Sequence, residues 1–281
     1  MSNKTGIPPI KSQGIKTALV PWIMSIVPES FSGTWIEPFC GTAVVGLNVP
    51  ARKKILCDVN PHIIKFYKNL QNKRIDSCVI RSFLEEQGEL LETIPDYYYK
   101  VRERFNDCHN SLDFLFQSRS CFNGLMRWNG KGEYNVPFCK NNKRFASRYI
   151  DKIIRQVEWV EVTLAEQDIE FHEQSFEVTI QNGKEGDMIY CDPPYMGLYA
   201  DYYSSWGVEQ EEKMCNLLSN STSNFILSTW LKNKNGKNPN VEKWLEYEMF
   251  TSEHIYKVGG HSKRQSAVME AVFTNFTKVY K

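Results

Sequence analysis

Thr34-Trp35-Ile36-Glu37 is a short apolar run that breaks into Pro38-Phe39-Cys40-Gly41, and Lys54-Ile55-Leu56-Cys57 is a second run that ends on Asp58. Asn60 and Pro61 follow almost at once. Asn is a preferred helix N-cap, and Pro suits the first helical position because its missing N–H would have no partner there. Ile63, Ile64, Tyr67 and Leu70 then mark one face of a helix. Strand, turn, short helical stretch, strand closing on an acid, and helix make the opening of a Rossmann-like βαβ unit. Just upstream, Leu19, Val20, Ile23 and Ile26 predict a helix within residues 16–26.

The same rhythm returns later. Strands are predicted over Ile169–His172, over Asp187–Cys191 running into Asp192-Pro193-Pro194-Tyr195, and over Asn224–Ser228. The C-terminus reads as a hairpin: His254–Val258, a Gly-Gly-His-Ser-Lys-Arg loop, then Ala267–Phe276. Residues 76–162 differ. They are rich in aromatic and basic residues and carry long helical patterns such as Tyr97–Phe116. The expected architecture is α/β: a mostly parallel Rossmann-like sheet with a C-terminal antiparallel hairpin, formed by residues 1–75 and 163–281, with 76–162 as an inserted, mainly helical subdomain.

A chain of 281 residues can bury a sizeable core without disulfides. Hydrophobic residues at 42% and charged residues at 24% exclude a disordered or fibrous protein. No apolar run reaches the roughly 18 residues needed to cross a bilayer, and the N-terminus lacks the apolar centre of a signal peptide. A soluble, cytoplasmic chain is expected. The eight cysteines form no CxxC pair and the five histidines show no ligand spacing, so neither a disulfide framework nor a metal is expected. The net charge is only +1. Yet Arg127–Arg155 holds eight basic residues against Glu133 and Asp151, an excess of six positive charges that suggests a polyanion partner there.

Asp192-Pro193-Pro194-Tyr195 is the sharpest chemical signal. Ligands of an open α/β sheet bind beyond the carboxyl ends of its strands. Two prolines stiffen the backbone and remove two N–H donors, leaving a carboxylate, a free carbonyl and an aromatic ring side by side. That set suits a planar amine. Glu37–Thr42 places a glycine where a ligand can approach the backbone, but it does not match the phosphate-binding G-x-G-x-x-G pattern. An acid at the end of the second strand, as Asp58 is, commonly accepts from the ribose of a nucleoside cofactor.

In this light the sequence resembles the Dam-type DNA adenine N6-methyltransferases. Lys11-Ser12-Gln13-Gly14-Ile15-Lys16 looks like that family's K-W-x-G-G-K segment, and Glu37-Pro38-Phe39-Cys40-Gly41 matches its E-P-F-x-G turn. Phe122-Asn123-Gly124-Leu125-Met126-Arg127 with Tyr134-Asn135-Val136-Pro137-Phe138 matches its F-N-G-L-x-R…F-N-V-P segment. Gly186-Asp187 with Asp192–Tyr195 matches its catalytic strand, and Ser266–Asn275, with Glu270, its final hairpin.

The resemblance implies S-adenosylmethionine as cofactor, double-stranded DNA as substrate, and 76–162 as the target-recognition subdomain. It implies catalytic roles for Asp192, Pro193, Pro194 and Tyr195. Cofactor contacts would come from Ser12, Lys16, Phe39, Gly41, Asp58, Phe176 and Asp192. DNA contacts would come from Asn123, Arg127, Asn135, Lys143, Arg144 and Arg148. Such an enzyme works alone or in a restriction–modification system beside a cognate endonuclease, and needs no stable protein partner for catalysis. Two departures stand out. Ser12 and Ile15 replace the family's Trp and second Gly, and Gln174-Ser175-Phe176 stands where Asp-Phe is usual.

Adenine N6 is a weak nucleophile buried in the duplex, so the base must be flipped out. Tyr195 would stack on it while Asp192 and the Pro193 carbonyl accept the amine hydrogens. No Pro-Cys dipeptide, the nucleophile signature of cytosine C5 methylation, occurs. The alternatives are cytosine N4 methylation, where Ser more often precedes Pro-Pro; an RNA or protein-glutamine methyltransferase; and an inactive DNA-binding relative.

Overall fold

A computed structural model describes residues 4–195, 206–233, 236–257 and 265–277. Among them, eight strands form one sheet: β1 (Thr34–Glu37), β2 (Lys53–Asp58), β3 (Asp168–Glu173), β4 (Met188–Cys191), β5 (Asn224–Asn233), β6 (Gly236–Lys237), β7 (Glu248–Lys257) and β8 (Gln265–Thr274). The order is β3-β2-β1-β4-β5-β8-β7, with the two-residue β6 paired to β5. Pairing is parallel from β3 through β5 and antiparallel along β5–β8–β7. The mostly parallel sheet with a C-terminal antiparallel pair is therefore as expected. The Gly259–Arg264 loop of the hairpin lies outside the described residues.

Both faces of the sheet are covered, so its central strands are apolar on both sides. Trp35, Leu56, Tyr190 and Ile226 belong to a large core shared with α1 (Val20–Ile26), α2 (Val44–Asn48), α3 (Pro61–Gln71) and the helices of the middle segment. Ile36, Ile189, Phe225 and Leu227 pack on the other side with α8 (Phe176–Gln181) and α9 (Val208–Ser219). The middle segment contributes α4 (Ser77–Thr93), α5 (Tyr97–Cys108), α6 (Ser111–Ser120) and α7 (Ser147–Glu166). Helix α7 runs without a break across residue 162 and delivers the chain to β3.

The Asn60 cap acts as read, and Asp76 adds a cap that the sequence reading did not mark. Asn60 accepts from the His62 N–H at 3.0 Å to start α3, and Asp76 accepts from the Val79 N–H at 2.8 Å to start α4. Two helical expectations need correction. Residues 16–19 form a turn, with the Leu19 and Val20 N–H groups both donating to the Lys16 carbonyl, and α1 starts only at Val20. The pattern over Tyr97–Phe116 is two helices. His109 takes a left-handed φ of 50° and ends α5, and the Asn110 side chain starts α6 by accepting from the Leu112 N–H at 2.8 Å. Apolar spacing carried across that joint and hid it.

The chain builds outward from β1 to β3, then returns to lay β4 on the other side of β1. That reversal opens a crevice beyond the carboxyl ends of β1 and β4. The two strands start in close contact. A Cβ on Gly33 would lie 2.0 Å from the Gly186 carbonyl oxygen, so only glycine fits. Asp187 accepts the Thr34 N–H at 3.1 Å and ties the two strand starts together.

Candidate active site at the carboxyl ends of β1 and β4

The crevice takes its first wall from β1. Glu37 is buried, and its Oε1 accepts the Trp35 indole N–H at 2.8 Å. Burial pushes its carboxyl up to about 8, partly offset by the Trp35 hydrogen bond and by Lys54. Phe39 follows, stacked on Phe176 of α8 at 5.4 Å, with Trp206 edge-on to both rings at 5.2 and 5.3 Å. Gly41 then turns the chain with a φ of 49°, and no heavy atom lies within 4 Å of where its Cβ would stand. The backbone there is open to close approach.

Asp58, at the end of β2, holds that turn in place. Its Oδ2 accepts the Gly41 N–H at 2.9 Å and its Oδ1 the Asn60 N–H at 2.8 Å. Burial raises its pKa, and these backbone donors oppose the rise. One carboxylate thus braces the glycine turn and caps the approach to α3, and each of its oxygens keeps further acceptor capacity.

The second wall follows β4. Asp192 Oδ1 lies 3.0 Å from Lys16 Nζ, and the same ammonium sits 4.5 Å from the centre of the Tyr195 ring. The Tyr195 hydroxyl donates to Glu270 Oε2 at 2.8 Å. Burial pushes the Asp192 carboxyl up; Lys16 draws it down and Glu270 raises it further. Lys16, Asp192, Tyr195 and Glu270 thereby form one connected group drawn from the N-terminal turn, the Pro-Pro turn and β8.

The structure brings Phe39 to Phe176, Gly41 to Asp58, and Lys16 to Asp192 and Tyr195. Ser12 stands apart from these contacts: its hydroxyl donates to the adjacent Gln13 carbonyl at 3.0 Å. At the Gln174-Ser175 departure, the Gln174 side chain donates to Thr179 Oγ1 at 3.0 Å and stays within the start of α8.

The residues predicted to meet DNA lie along 123–148. Asn123 is exposed at a left-handed φ of 53° in a tight turn beside exposed Phe122. Arg127 Nε donates to Asn135 Oδ1 at 2.7 Å, joining the two halves of the F-N-G…N-V-P segment. Lys143 and Arg148 are exposed, the latter over the Tyr149 ring at 4.7 Å. Arg144 instead donates to the Arg119 carbonyl at 2.5 Å. Beneath the turn it meets Lys11, which opens the K-W-x-G-G-K-like segment, and Arg119, a cation that no motif marks. Burial, and after it repulsion from Arg144, lower both pKa values, that of Arg119 to about 9. A polar cleft of about 470 Å³ between α5 and residues 129–135, lined by Arg102, Asn106, Glu133 and Asn135 among others, is separate from the β1–β4 crevice.

Glu270 and Trp206 were also given no role by the sequence. An acid between Val268 and Val272 in an apolar strand was the available signal for the first; Trp206 had none. All eight cysteines are free. Among the described residues no group of three or more His, Cys, Asp or Glu is placed to hold a metal, and no helix is long and apolar enough to cross a membrane.

Comparison with known proteins gives the family. The family model of the D12 class N6 adenine-specific DNA methyltransferases matches residues 12–262. The type II methyltransferase M.FokI of Planomicrobium okeanokoites is 27% identical over 286 residues, covering 97% of this chain and 43% of its own. The modification methylase StsI of Streptococcus sanguinis is 28% identical over 288 residues, with the same coverage. A DNA adenine methylase of Salmonella typhi is 30% identical over 204 residues, 68% of either chain. The chain therefore spans less than half the length of the first two relatives.

Proposed function

The chain belongs to the D12 class of N6 adenine-specific DNA methyltransferases, and on that premise we propose that it methylates N6 of an adenine flipped out of double-stranded DNA. The observation that carries this reading is the convergence of Lys16, Asp192 and Tyr195 on the Pro-Pro turn, in the crevice that also holds Asp58 and Gly41. Two relatives are named as a type II methyltransferase and a modification methylase, which supports a restriction–modification setting with a cognate endonuclease.

The crevice fits S-adenosylmethionine. Gly41 leaves room for a ligand against the backbone. Asp58 offers a carboxylate to ribose hydroxyls, and Phe39 and Phe176 offer apolar ring surface. On the β4 side, Asp192 and Glu270 are linked through Lys16 and Tyr195 and leave carboxylate oxygens beside the Pro-Pro turn. When bound, S-adenosylmethionine supplies an electrophilic methyl carbon on a sulfonium.

The protein's residues then act on the base. Tyr195 presents a stacking face for the flipped adenine, worth roughly 1–3 kcal/mol. Asp192 and the Pro193 carbonyl accept the N6 hydrogens and turn the amine lone pair toward the methyl carbon. So held, the nitrogen would take the methyl carbon in line, with the donor's sulfur keeping the electron pair of the C–S bond. The methylated nitrogen must then shed one proton. Asp192, raised by burial, is a suitable acceptor. Holding the reactants in this geometry contributes up to about 7–11 kcal/mol in favourable cases. Residues 76–162 supply target recognition through Arg127, Asn135 and the exposed cations of 143–148.

Transfer of a tritiated methyl group from labelled cofactor to duplex DNA, followed by identification of the modified base, tests this. The expected product is N6-methyladenine, and Asp192→Ala abolishes it. Label on cytosine N4, or near-parental transfer by Asp192→Ala, overturns the reading.

A further inference from the structure

Glu270 occupies an unusual place. It lies in β8 between Val268 and Val272 and is wholly buried. A carboxylate in such surroundings is costly unless a donor meets it. The Tyr195 hydroxyl is one such donor, at 2.8 Å. The contact spans the sheet: β8 pairs with β5, where Glu270 faces Trp230, and β5 pairs with β4, whose end leads into the Asp192–Tyr195 turn. It therefore joins the last hairpin to the turn that receives the base.

From this we infer that Glu270 is a positioning residue for the methyl transfer, holding the Tyr195 ring at the angle from which it stacks on the flipped adenine. The inference rests on the function proposed above. A tyrosine ring moves about two torsions. Pro193 and Pro194 stiffen the backbone end of Tyr195, and Glu270 fixes the hydroxyl end, so the ring cannot swing. Lys16 stands 4.5 Å over the ring and is itself held by Asp192 at 3.0 Å. The stacking surface and the amine acceptor are thus fixed relative to each other through one chain of contacts: Glu270 to Tyr195, Tyr195 to Lys16, Lys16 to Asp192. Small displacements of reacting groups cost large factors in rate. A platform free to rotate would still bind DNA but would present N6 to the methyl carbon less often.

The experiment compares parent, Tyr195→Phe, Glu270→Gln, Glu270→Leu and the Tyr195→Phe/Glu270→Leu double variant in the full chain. Three quantities are read: the thermal midpoint, the single-turnover rate with saturating cofactor and DNA, and the fluorescence of 2-aminopurine placed at the mapped target adenine. Glutamine still accepts the Tyr195 hydrogen bond, so Glu270→Gln should keep its rate within about threefold. Glu270→Leu and Tyr195→Phe should each slow the single turnover roughly 10- to 100-fold, the range expected when a hydrogen bond to a charged group is lost. Both should brighten 2-aminopurine, because a loosened ring quenches the flipped base less. The double variant should be no slower than the slower single one, since both changes cut the same link.

Parental turnover and parental fluorescence in a folded Glu270→Leu overturn the inference, as do additive losses in the double variant. Should Glu270→Leu fail to fold, Tyr195→Phe decides alone, because it deletes one oxygen and keeps the ring; parental rate and fluorescence there overturn the inference too. A parent that methylates DNA while these variants match it sinks only the role of Glu270. A parent that transfers no methyl group to DNA sinks the proposed function along with it.

Discussion

Lys16 Nζ stands 3.0 Å from Asp192 Oδ1, so a residue in the turn before α1 neutralises the first acid of the Pro-Pro turn. Both groups are largely withdrawn from water, at 5% and 20% exposure. Burial alone would favour a protonated Asp192, and Lys16 is the chief influence keeping it charged. Lys16→Met should therefore move the acidic limb of the transfer rate to higher pH, because the carboxylate then needs a more basic medium to ionise. It should also cost about 2–4 kcal/mol of stability, since one partner of a buried pair is left behind. Lys16→Arg should recover much of both. Single-turnover rates from pH 5 to 9 and urea melts measure the two effects. An acidic limb that stays put in Lys16→Met would mean that Asp192 does not control the profile.

Asp58 makes a second linked pair of effects. A ribose acceptor alone could be removed without harm to the fold. Here the same carboxylate accepts the Gly41 and Asn60 N–H groups. Asp58→Ala should lower affinity for S-adenosylhomocysteine and also destabilise the chain, by about 1–3 kcal/mol for the stranded donors. Asp58→Asn keeps one acceptor oxygen and should fall between. Calorimetric titration and thermal melts on the same samples would separate the two losses. A parental melting temperature in Asp58→Ala would show that the Gly41 turn does not lean on it.

Much of this site was legible because its chemistry is contiguous. Glu37–Gly41, Asp58 and Asp192–Tyr195 each close an apolar run, and the parallel order of those runs puts their ends in one crevice. The contacts that were not legible depend on register between distant strands. Glu270 reaches Tyr195 only because β8 pairs antiparallel to β5. Lys11, Arg119 and Arg144 come together from three separate segments; Lys11 and Arg144 lie in motifs read from the sequence, but nothing local marks Arg119 or the meeting of the three. The break at His109 escaped notice because apolar spacing is silent about a single left-handed residue.

The five histidines look scattered in sequence, yet His62 and His109 lie 4.9 Å apart in the fold. His62 is buried on α3, stacked on Trp128 at 5.7 Å and flanked by Phe105 and Phe114. Burial, then His109 and Lys65, lower its pKa to about 4. The unfolded imidazole titrates near 6.5, so between those values the unfolded chain binds more protons than the folded one. Stability is then full above about pH 6.5 and falls as the pH drops towards 4, by up to about 3 kcal/mol. His62→Phe keeps a ring against Trp128 and removes the titration. Urea midpoints at pH 7.5, 6, 5 and 4.5 should show a flatter profile in this variant than in the parent. Parallel profiles would exclude His62 as the source of acid sensitivity.

The basic stretch from Arg127 to Arg155 should govern how DNA binding responds to salt, but its members should not act alike. Lys143 and Arg148 are exposed, and among the described residues neither forms an ion pair with an acid. Each phosphate contact lowers log affinity by about 0.9 per log unit of salt. Replacing Lys143 and Arg148 together by Ala should therefore flatten the salt slope by roughly 1.8 and leave the melting temperature near parental. Arg144 is partly buried, and its Nε donates to the Arg119 carbonyl at 2.5 Å. Arg144→Ala should cost stability of about 1–2 kcal/mol as well as affinity, and its effect on the slope should be smaller than that of the exposed pair. Fluorescence anisotropy of a labelled duplex between 50 and 200 mM salt reads the slopes, and thermal melts read the stability. An unchanged slope in the Lys143→Ala/Arg148→Ala variant would take this face out of the DNA interface and turn attention to the cations gathered beneath the 122–124 turn.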